Sequence, residues 1–294
     1  MKILVLGGSG MLGHKLVQQL SDDFDVWTTI RGEFERLVHF GIFERERTIE
    51  QVDVEDSDTL TRIIESVAPN VIFNAIGVVK QVPTATNAAA TIALNSLLPH
   101  QLAYLAEGVG ARLITISTDC VFDGTRGMTT EVDHPNATDL YGKSKHLGEV
   151  EEGNALTLRT SIIGRELGTR HSLVEWFLSN RGKTVKGFTH AIYSGFPTII
   201  FAEIVANLIK NHAELRGLYH VSSDAINKYD LLLLLRKYYG VEIEIEIERF
   251  DDFKIDRSLD STKFREVTKF KPRSWEEMIA IMASDPTPYD SFSL

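Results

Sequence analysis

The sequence predicts an α/β protein with a doubly wound parallel sheet and a smaller C-terminal α/β lobe. Through residues 1–160, short apolar runs alternate with longer amphipathic segments, which is the rhythm of βαβ units. The first apolar run leads straight into a glycine-rich turn. After about residue 160 the rhythm becomes irregular. We therefore expect one domain over 1–160, to which later segments return, and a lobe formed mainly by 161–294.

The elements follow from the position of the apolar residues. In the first domain, strands are expected at Ile3–Leu6, Val26–Ile30, Val71–Ala75, Leu113–Ser117 and Leu156–Arg159, with helices at Leu12–Leu20, Ser57–Val67 and Thr91–Val109. In the second half, helices are expected at Ile199–Asn211, Lys228–Tyr239 and Trp275–Met282, and strands at Gly217–Val221 and 242–248. The last of these, EIEIEIE, alternates strictly, which is typical of a half-exposed strand.

Composition and charge argue against several classes of function. The chain has 294 residues, 43% of them hydrophobic, and a net charge of −10, which argues against a nucleic-acid-binding surface. We find no apolar stretch near the ~20 residues of a membrane span. Cys120 is the only cysteine, so no intrachain disulfide can form. We expect a cytoplasmic protein with no membrane partner, and we find no metal-binding motif.

The glycine turn predicts a dinucleotide site of the Rossmann type. Gly7, Gly10 and Gly13, with Met11 and Leu12 between them, link the first strand to the first helix. Glycines let the backbone turn tightly and approach a pyrophosphate, and the helix N-terminus attracts the phosphates. A turn without a ligand is the simpler alternative, but the strand–turn–helix context favours the cofactor.

The residue after the second strand bears on the choice of cofactor. An acidic residue there binds the ribose 2′-hydroxyl, whereas an arginine accommodates a 2′-phosphate. The strand is followed by Arg31 and carries no acid at its end. We predict NADP(H) in preference to NAD(H), with NAD(H) still open because Arg31 could be a solvated surface residue.

Two further strand ends are expected to line the cofactor. Asp53 and Val54 close a third strand-like stretch, near the adenine. The turn after the fourth strand is expected to pass beneath the nicotinamide ribose, and it comprises Asn74, Ala75, Ile76 and Gly77. Either segment could instead be a plain strand-end turn.

Tyr141 and Lys145 of YGKSK form the candidate catalytic pair. Four residues apart on a helix, they face the same way. A neighbouring cation stabilises phenolate, so Lys145 is expected to lower the tyrosine pKa towards neutrality. The spacing alone is common. Thr118, at the end of an upstream strand, adds a hydroxyl that can hydrogen-bond a substrate carbonyl while Tyr141 supplies its proton.

Several motifs together resemble a known family. In chain order they are GGSGMLG, NAIG, STDCVFDG, YGKSK, LRTS, SGFPT, GLYH and RSLDSTK. This series resembles the extended short-chain dehydrogenase/reductase family of nucleotide-sugar enzymes, and most closely its dTDP-4-dehydrorhamnose reductases. The matches span nearly the whole chain.

The resemblance implies roles for the site. NADPH would deliver hydride to C4 of a 4-keto-6-deoxy nucleotide sugar, in deoxysugar or surface-polysaccharide synthesis. Thr118 and Tyr141 would bind the C4 oxygen, and Lys145 would hold the ribose. Arg257 is a candidate for the substrate diphosphate, with a surface arginine about as plausible. A homodimer stays open.

Departures from the family pattern concern the sugar. Asp119-Cys120 replaces the Asp-Glu of related dehydratases, which argues against dehydration. Cys120 falls where an epimerase-reductase of the family carries a catalytic cysteine. A small buried residue is the favoured alternative, and the thiol's partner, His171 or His190, is not fixed by the sequence. Ile162 and Tyr193 change the expected sugar-facing wall.

A non-enzymatic alternative also stays open, because some relatives keep the fold and nucleotide site as regulatory subunits.

Overall fold

The computed structural model describes residues 1–78, 87–240 and 247–289. The strands are β1 (Lys2–Leu6), β2 (Asp25–Thr29), β3 (Thr48–Ile49), β4 (Val71–Asn74), β5 (Arg112–Thr118), β6 (Ala155–Thr160), β7 (Ile162–Ile163), β8 (Val185–Tyr193), β9 (Phe196–Pro197), β10 (Gly217–His220), β11 (Ile226–Asn227) and β12 (Ile247–Asp256). The α-helices are α1 (Gly13–Ser21), α2 (Ser57–Val67), α3 (Ala88–Ile92), α4 (Leu98–Gly108), α5 (Leu140–Leu147), α6 (Leu173–Ser179), α7 (Thr198–Asn211), α8 (Lys228–Tyr238), α9 (Thr262–Thr268) and α10 (Trp275–Ala283).

The central sheet confirms the predicted fold class. Seven strands lie in the order β10-β6-β5-β4-β1-β2-β3, and every neighbouring pair is parallel. The chain builds outward from β1 to β3 and then returns to place β4 on the other side of β1. In such sheets, ligands bind outside the carboxyl ends of the strands at this switch point.

Helices cover both faces of the sheet. Alternate residues of β1 point to opposite sides, so Ile3 and Val5 join one apolar cluster and Leu4 and Leu6 join another. The first cluster packs under α1, α7, α8 and α10, and the second under α2 and α4. Burial on both faces explains why these strands read as continuous apolar runs in the sequence.

The second half of the chain contributes to both parts of the molecule. β10 extends the central sheet beside β6, and α7 packs against α1. A separate three-stranded sheet has the order β11-β8-β12, with β12 parallel and β11 antiparallel to β8. The boundary at residue 160 stays a prediction.

Periodicity missed part of this lobe. β8 carries Gly187 and does not alternate between apolar and polar residues, and α6 spans only seven residues. Most of the predicted 242–248 strand lies outside the described residues, and β12 begins at Ile247. No helix in the described ranges is long and apolar enough to cross a membrane.

Candidate active site

The glycine turn joins β1 to α1, and its backbone atoms pack closely against one another. Gly7 has a φ of 81°, a conformation that side chains disfavour. A Cβ at Gly13 would lie 2.0 Å from the Gly7 carbonyl oxygen, and one at Gly8 would lie 2.0 Å from Thr28 Oγ1. Gly10 N donates to the Gly7 carbonyl at 3.0 Å. The glycines are therefore required by packing as well as by any ligand.

The turn also fits a dinucleotide. A Cβ at the exposed Gly10 would meet only the Gly7 oxygen within 4 Å, so its outer side is open. The N-terminus of α1 favours an anion, although His14 N already donates to the Gly10 carbonyl at 3.1 Å. Met11 is half-buried beside this opening, while the Leu12 side chain belongs to the core beneath it. The backbone of residues 7–13 is thus available for a pyrophosphate.

The adenine side of the predicted site is more exposed. Arg31 is exposed and lies two residues beyond the end of β2. The prediction that Asp53 and Val54 close the third strand is wrong, because β3 ends at Ile49. The chain continues beside the end of β2, where Val52 N donates to the Ile30 carbonyl at 3.0 Å. Asp53 is exposed and its Oδ1 accepts from the backbone N of Glu55 at 3.0 Å, whereas Val54 packs against the apolar cluster under α2.

The segment after β4 approaches the catalytic helix. Asn74 is buried, and its Oδ1 accepts from Ile76 N at 3.1 Å. Ala75 and Ile76 are half-buried beside Gly7. Gly77 is exposed, and a Cβ there would lie 3.9 Å from Lys145 Nζ. The β4 turn and the lysine therefore border the same space.

Tyr141 and Thr118 meet at the end of β5. Asp139 caps α5 by accepting from Gly142 N at 3.0 Å, which orients the helix that carries Tyr141. The Thr118 side chain hydrogen-bonds Tyr141. Burial raises the pKa of Tyr141 above its ordinary value, the charges of Cys120 and other neighbours add to the rise, and the Thr118 bond opposes it. The phenol is therefore protonated at neutral pH.

Lys145 is buried one turn along α5. Its Nζ donates to the Ile116 carbonyl at 2.5 Å, and burial lowers its pKa to about 8. We expected this lysine to lower the Tyr141 pKa towards neutrality. The structure shows the opposite net direction, because burial of the phenol outweighs the groups that stabilise phenolate.

Acidic and thiol groups lie next to the Thr118–Tyr141 pair. Asp119 is 5% exposed and hydrogen-bonds Thr118, Cys120 and Ser161 through side chains. Burial raises its pKa, and the nearby charge of Arg257 opposes that rise. Arg257 Nε also donates to the Phe122 carbonyl at 3.1 Å. The structure thus gathers Asp119, Cys120 and Arg257 beside the pair.

The remaining substrate candidates lie on short strands. Ile162 is half-buried on β7, which pairs with β9. The Tyr193 ring lies 5.4 Å from that of Trp275, with the two planes tilted by 56°. Its buried hydroxyl has no hydrogen-bond partner in the described residues. Burial, with the charge of Asp119, raises the pKa of Tyr193 well above its ordinary value. Tyr193 therefore reaches towards the same acidic group.

The two histidines considered as partners of Cys120 are exposed. The backbone N of His171 donates to Glu166 Oε2 at 2.8 Å. His190 Nδ1 lies 3.2 Å from Thr189 Oγ1. Among the residues that the structure describes, no three His, Cys, Asp or Glu side chains are grouped to hold a metal.

Sequence reasoning missed Asn95. It lies in a π-helical turn, Ala93–Leu97, between α3 and α4. Its Oδ1 accepts from Val78 N at 2.8 Å, and its Nδ2 donates to the Val78 carbonyl and to Ser144 Oγ. Asn95 therefore fastens the β4 turn to the helix of Tyr141. A buried amide in an apolar helix was the available signal.

Comparison with known proteins places the chain in a family. The profile described as "RmlD substrate binding domain" matches residues 1–287. The chain belongs to this family.

Relatives of this RmlD-family chain carry different names. Methionine adenosyltransferase 2 subunit beta of Mus musculus is 32% identical over 170 residues, covering 56% of this chain and 48% of that protein. dTDP-4-dehydrorhamnose reductase of Aggregatibacter actinomycetemcomitans is 26% identical over 246 residues, covering 80% and 78%. The chain spans about half the length of several curated relatives that it matches.

Solved structures agree on the fold. dTDP-4-dehydrorhamnose reductase from Bacillus anthracis, solved in complex with NADP, superposes with a TM-score of 0.78 at 20% identity, covering 96% of this chain and 98% of that one.

Proposed function

We propose that this protein is an NADPH-dependent reductase of the C4 keto group of a 4-keto-6-deoxy nucleotide sugar. The observation that carries the proposal is the Thr118–Tyr141 hydrogen bond at the carboxyl end of β5, with Lys145 buried on the same helix. Membership of the RmlD family and the similarity to named reductases support it.

The proton chemistry follows from Tyr141. Because its phenol is protonated at neutral pH, Tyr141 can act as a general acid towards the alkoxide that develops on the substrate. Thr118 and Tyr141 would bind the C4 oxygen together. When hydride adds to C4, the O4 atom takes the Tyr141 proton, which leaves an alcohol and a phenolate. Lys145, with its positive charge nearby, would stabilise that phenolate until solvent returns the proton.

The cofactor would be held by this chain's first domain. The backbone of residues 7–13 would bind the pyrophosphate, Arg31 the 2′-phosphate, and Gly77 and Lys145 would border the nicotinamide ribose. Bound NADPH supplies the hydride. The protein fixes the geometry between it and the acid.

The direct test is NADPH oxidation with a panel of 4-keto-6-deoxy nucleotide sugars. We expect turnover with at least one of them, and a fall in kcat of about 10²–10⁴-fold in Tyr141→Phe. Tyr104→Phe is the matched control, because Tyr104 is 78% exposed. Equal activity in the two variants would show that Tyr141 is not the proton donor.

Cofactor choice has its own test. Arg31→Ala should raise the Michaelis constant for NADPH and leave that for NADH nearly unchanged. Arg36→Ala, another exposed arginine on the same segment, is the control. A clear preference of the unaltered protein for NADH would overturn the assignment of Arg31.

We further propose that reduction occurs without epimerisation. The support is the hydrogen bond of the Cys120 thiol to Asp119, a buried carboxyl whose pKa is raised by burial, which gives the thiol a structural partner that serine can also bind. Cys120→Ser should therefore keep its activity in heavy water, with no deuterium at C3 or C5 of the product. Deuterium at either carbon, lost in the serine variant, would favour an epimerase-reductase.

A regulatory subunit is the second candidate, favoured by the methionine adenosyltransferase subunit beta relatives. This chain would then bind the nucleotide and a catalytic partner without turnover. NADPH binding without oxidation of any panel sugar, together with co-elution with a methionine adenosyltransferase catalytic subunit, would establish it.

A further inference from the structure

A buried ionic cluster lies beneath Lys145, and we name it the Glu149 cluster; its members are Ser117, His146, Glu149, Arg159 and His220. The Glu149 carboxylate accepts from Arg159 Nε and NH2, both at 2.7 Å, and from Ser117 Oγ at 2.6 Å. His146 Nδ1 lies 2.9 Å from Glu149 Oε2. The Glu149 and Arg159 side chains are each 2% exposed.

The cluster is rigid because strands supply its donors. Arg159 stands on β6 and Ser117 on β5, which are paired in register at these two residues. Arg159 NH1 lies 3.2 Å from His220 Nε2 on β10, and His220 Nδ1 lies 3.0 Å from the Thr129 carbonyl. The carboxylate is therefore fixed from several directions and cannot swing away.

Glu149 and Lys145 are anchored to consecutive residues of β5. Lys145 Nζ donates to the Ile116 carbonyl, and Ser117 donates to Glu149. α5 ends between them, where Gly148 N donates to the Lys145 carbonyl at 3.2 Å. This turn places the Glu149 side chain against Ser117, one residue along β5 from the Ile116 carbonyl that holds Lys145.

We propose that Glu149 is a positioning residue for Lys145, whose fixed carboxylate keeps the buried ammonium charged at neutral pH. The inference rests on the proposed function, in which a charged lysine stabilises the Tyr141 phenolate. Burial opposes that charge and lowers the pKa of Lys145 to about 8, while Glu149 acts in the opposite direction. Without the carboxylate, Lys145 would lose its proton near neutrality.

A purely structural role would differ in its dependence on pH. If Glu149 only joined β5, β6 and β10, its loss would weaken the protein at every pH. If it holds the charge of Lys145, the loss would be largest at alkaline pH and would be recovered as the pH falls, because acid restores the ammonium without the carboxylate.

The test compares Glu149→Gln with Glu175→Gln. Glu175 is a matched control because it forms a similarly buried pair with Arg165, at 2.6 Å, away from Lys145. The alkaline limb of kcat/KM for NADPH-dependent reduction should move about one unit or more to lower pH in Glu149→Gln. It should stay in place in Glu175→Gln.

A second readout does not need turnover. In protein labelled with ¹³C at the lysine ε-carbons, Lys145 is assigned by the signal missing from Lys145→Arg, and its titration midpoint is followed directly. The midpoint should fall in Glu149→Gln, and fall less in Glu149→Asp, where the carboxylate is retained one methylene away. Unchanged midpoints in a folded Gln or Asp variant would overturn the inference, even if the protein reduces no sugar tested.

Discussion

Two buried ionic clusters flank the candidate site, and they are built in different ways. In the Glu149 cluster, Ser117, Arg159 and His220 stand on neighbouring strands of one sheet, and the other two members lie at the end of α5. The second, which we name the Lys15 cluster, contains His14, Lys15, Asp285, Thr287 and Tyr289. It joins the start of α1 to the segment after α10, across about 270 residues of sequence, and includes an ion pair between Lys15 and Asp285.

The Lys15 cluster reaches the cofactor turn through one side chain. His14 Nδ1 lies 2.8 Å from the Gly10 carbonyl, and its Nε2 lies 2.9 Å from the Tyr289 hydroxyl. Tyr289 also donates to Asp285 at 2.8 Å, and Lys15 donates to Thr287 at 3.1 Å. This cluster therefore ties the end of the described chain to the turn, whereas the Glu149 cluster acts beneath the catalytic helix.

The difference concerns how each cluster responds to the loss of one member. Arg159 binds both carboxylate oxygens of Glu149, so its loss removes two charge-assisted hydrogen bonds from a carboxylate that is 2% exposed. Lys15 meets a single oxygen of Asp285, and Asp285 keeps hydrogen bonds from Tyr289 and Thr287 when Lys15 is removed. We therefore expect the Glu149 cluster to be the more sensitive of the two.

The largest effect is expected for Arg159→Met. Removing the guanidinium leaves Glu149 buried without its cation, which should lower the free energy of unfolding by about 3–5 kcal/mol. Urea denaturation measures this loss. Arg126→Met, at an arginine that is 71% exposed, should stay near the unaltered protein. Equal losses in both variants would contradict the special role of the buried pair.

A smaller loss, about 2–4 kcal/mol, is expected for Lys15→Met. The double variant Lys15→Met with Asp285→Leu should recover much of it, because neither charge is then left unpaired. The coupling energy between the two sites is obtained from urea denaturation of all four proteins. Strictly additive losses would show that the ion pair does not hold the C-terminal segment.

The Lys15 cluster should also respond to acid. Burial and the Lys15 charge lower the pKa of His14 from 6.5 to about 3. Between these values the unfolded chain binds a proton that the folded one does not, so stability falls as the pH falls through this window. The contribution is at most about 1.4 kcal/mol per pH unit.

The measurement is the free energy of unfolding between pH 5 and 7, since carboxylates contribute little to the slope there. His14→Gln should have a shallower dependence than the unaltered protein. His39→Gln, at an exposed histidine, is the control and should keep the original slope. Parallel curves for all three proteins would exclude His14 as the titrating group.

The smallest effect is expected for Tyr289→Phe. It removes one hydroxyl, which donates to Asp285 and meets His14, and should cost about 1 kcal/mol. If the cluster also steadies the glycine turn, the dissociation constant for NADPH should rise slightly as well. Tyr104→Phe serves as the control for both measurements. If the two variants have the same dissociation constant for NADPH, the Lys15 cluster does not stabilise the glycine turn.

Much of the fold of residues 1–160 was determined by sequence alone. Its strands are buried on both faces, so they read as short apolar runs, and their predicted bounds agree with the structure to within one residue for β1, β2, β4, β5 and β6. The third strand, at Thr48–Ile49, has only two residues and leaves no such signal. The helix of Tyr141 and Lys145 followed from spacing, because an i, i+4 pair needs no tertiary information.

Tertiary structure decided what surrounds those residues. Whether Tyr141 is an acid with a raised pKa depends on burial and on Thr118, Cys120 and Asp119, which lie about 20 residues away and meet it only at the sheet edge. Glu149, in the turn after α5, meets both Ser117 and Arg159 because β5 and β6 are adjacent. Lys15 meets Asp285 because α1 and the segment after α10 lie side by side. Sequence patterns report local periodicity and motif spacing, whereas charge and desolvation depend on neighbours that only the packed sheet and helices bring together.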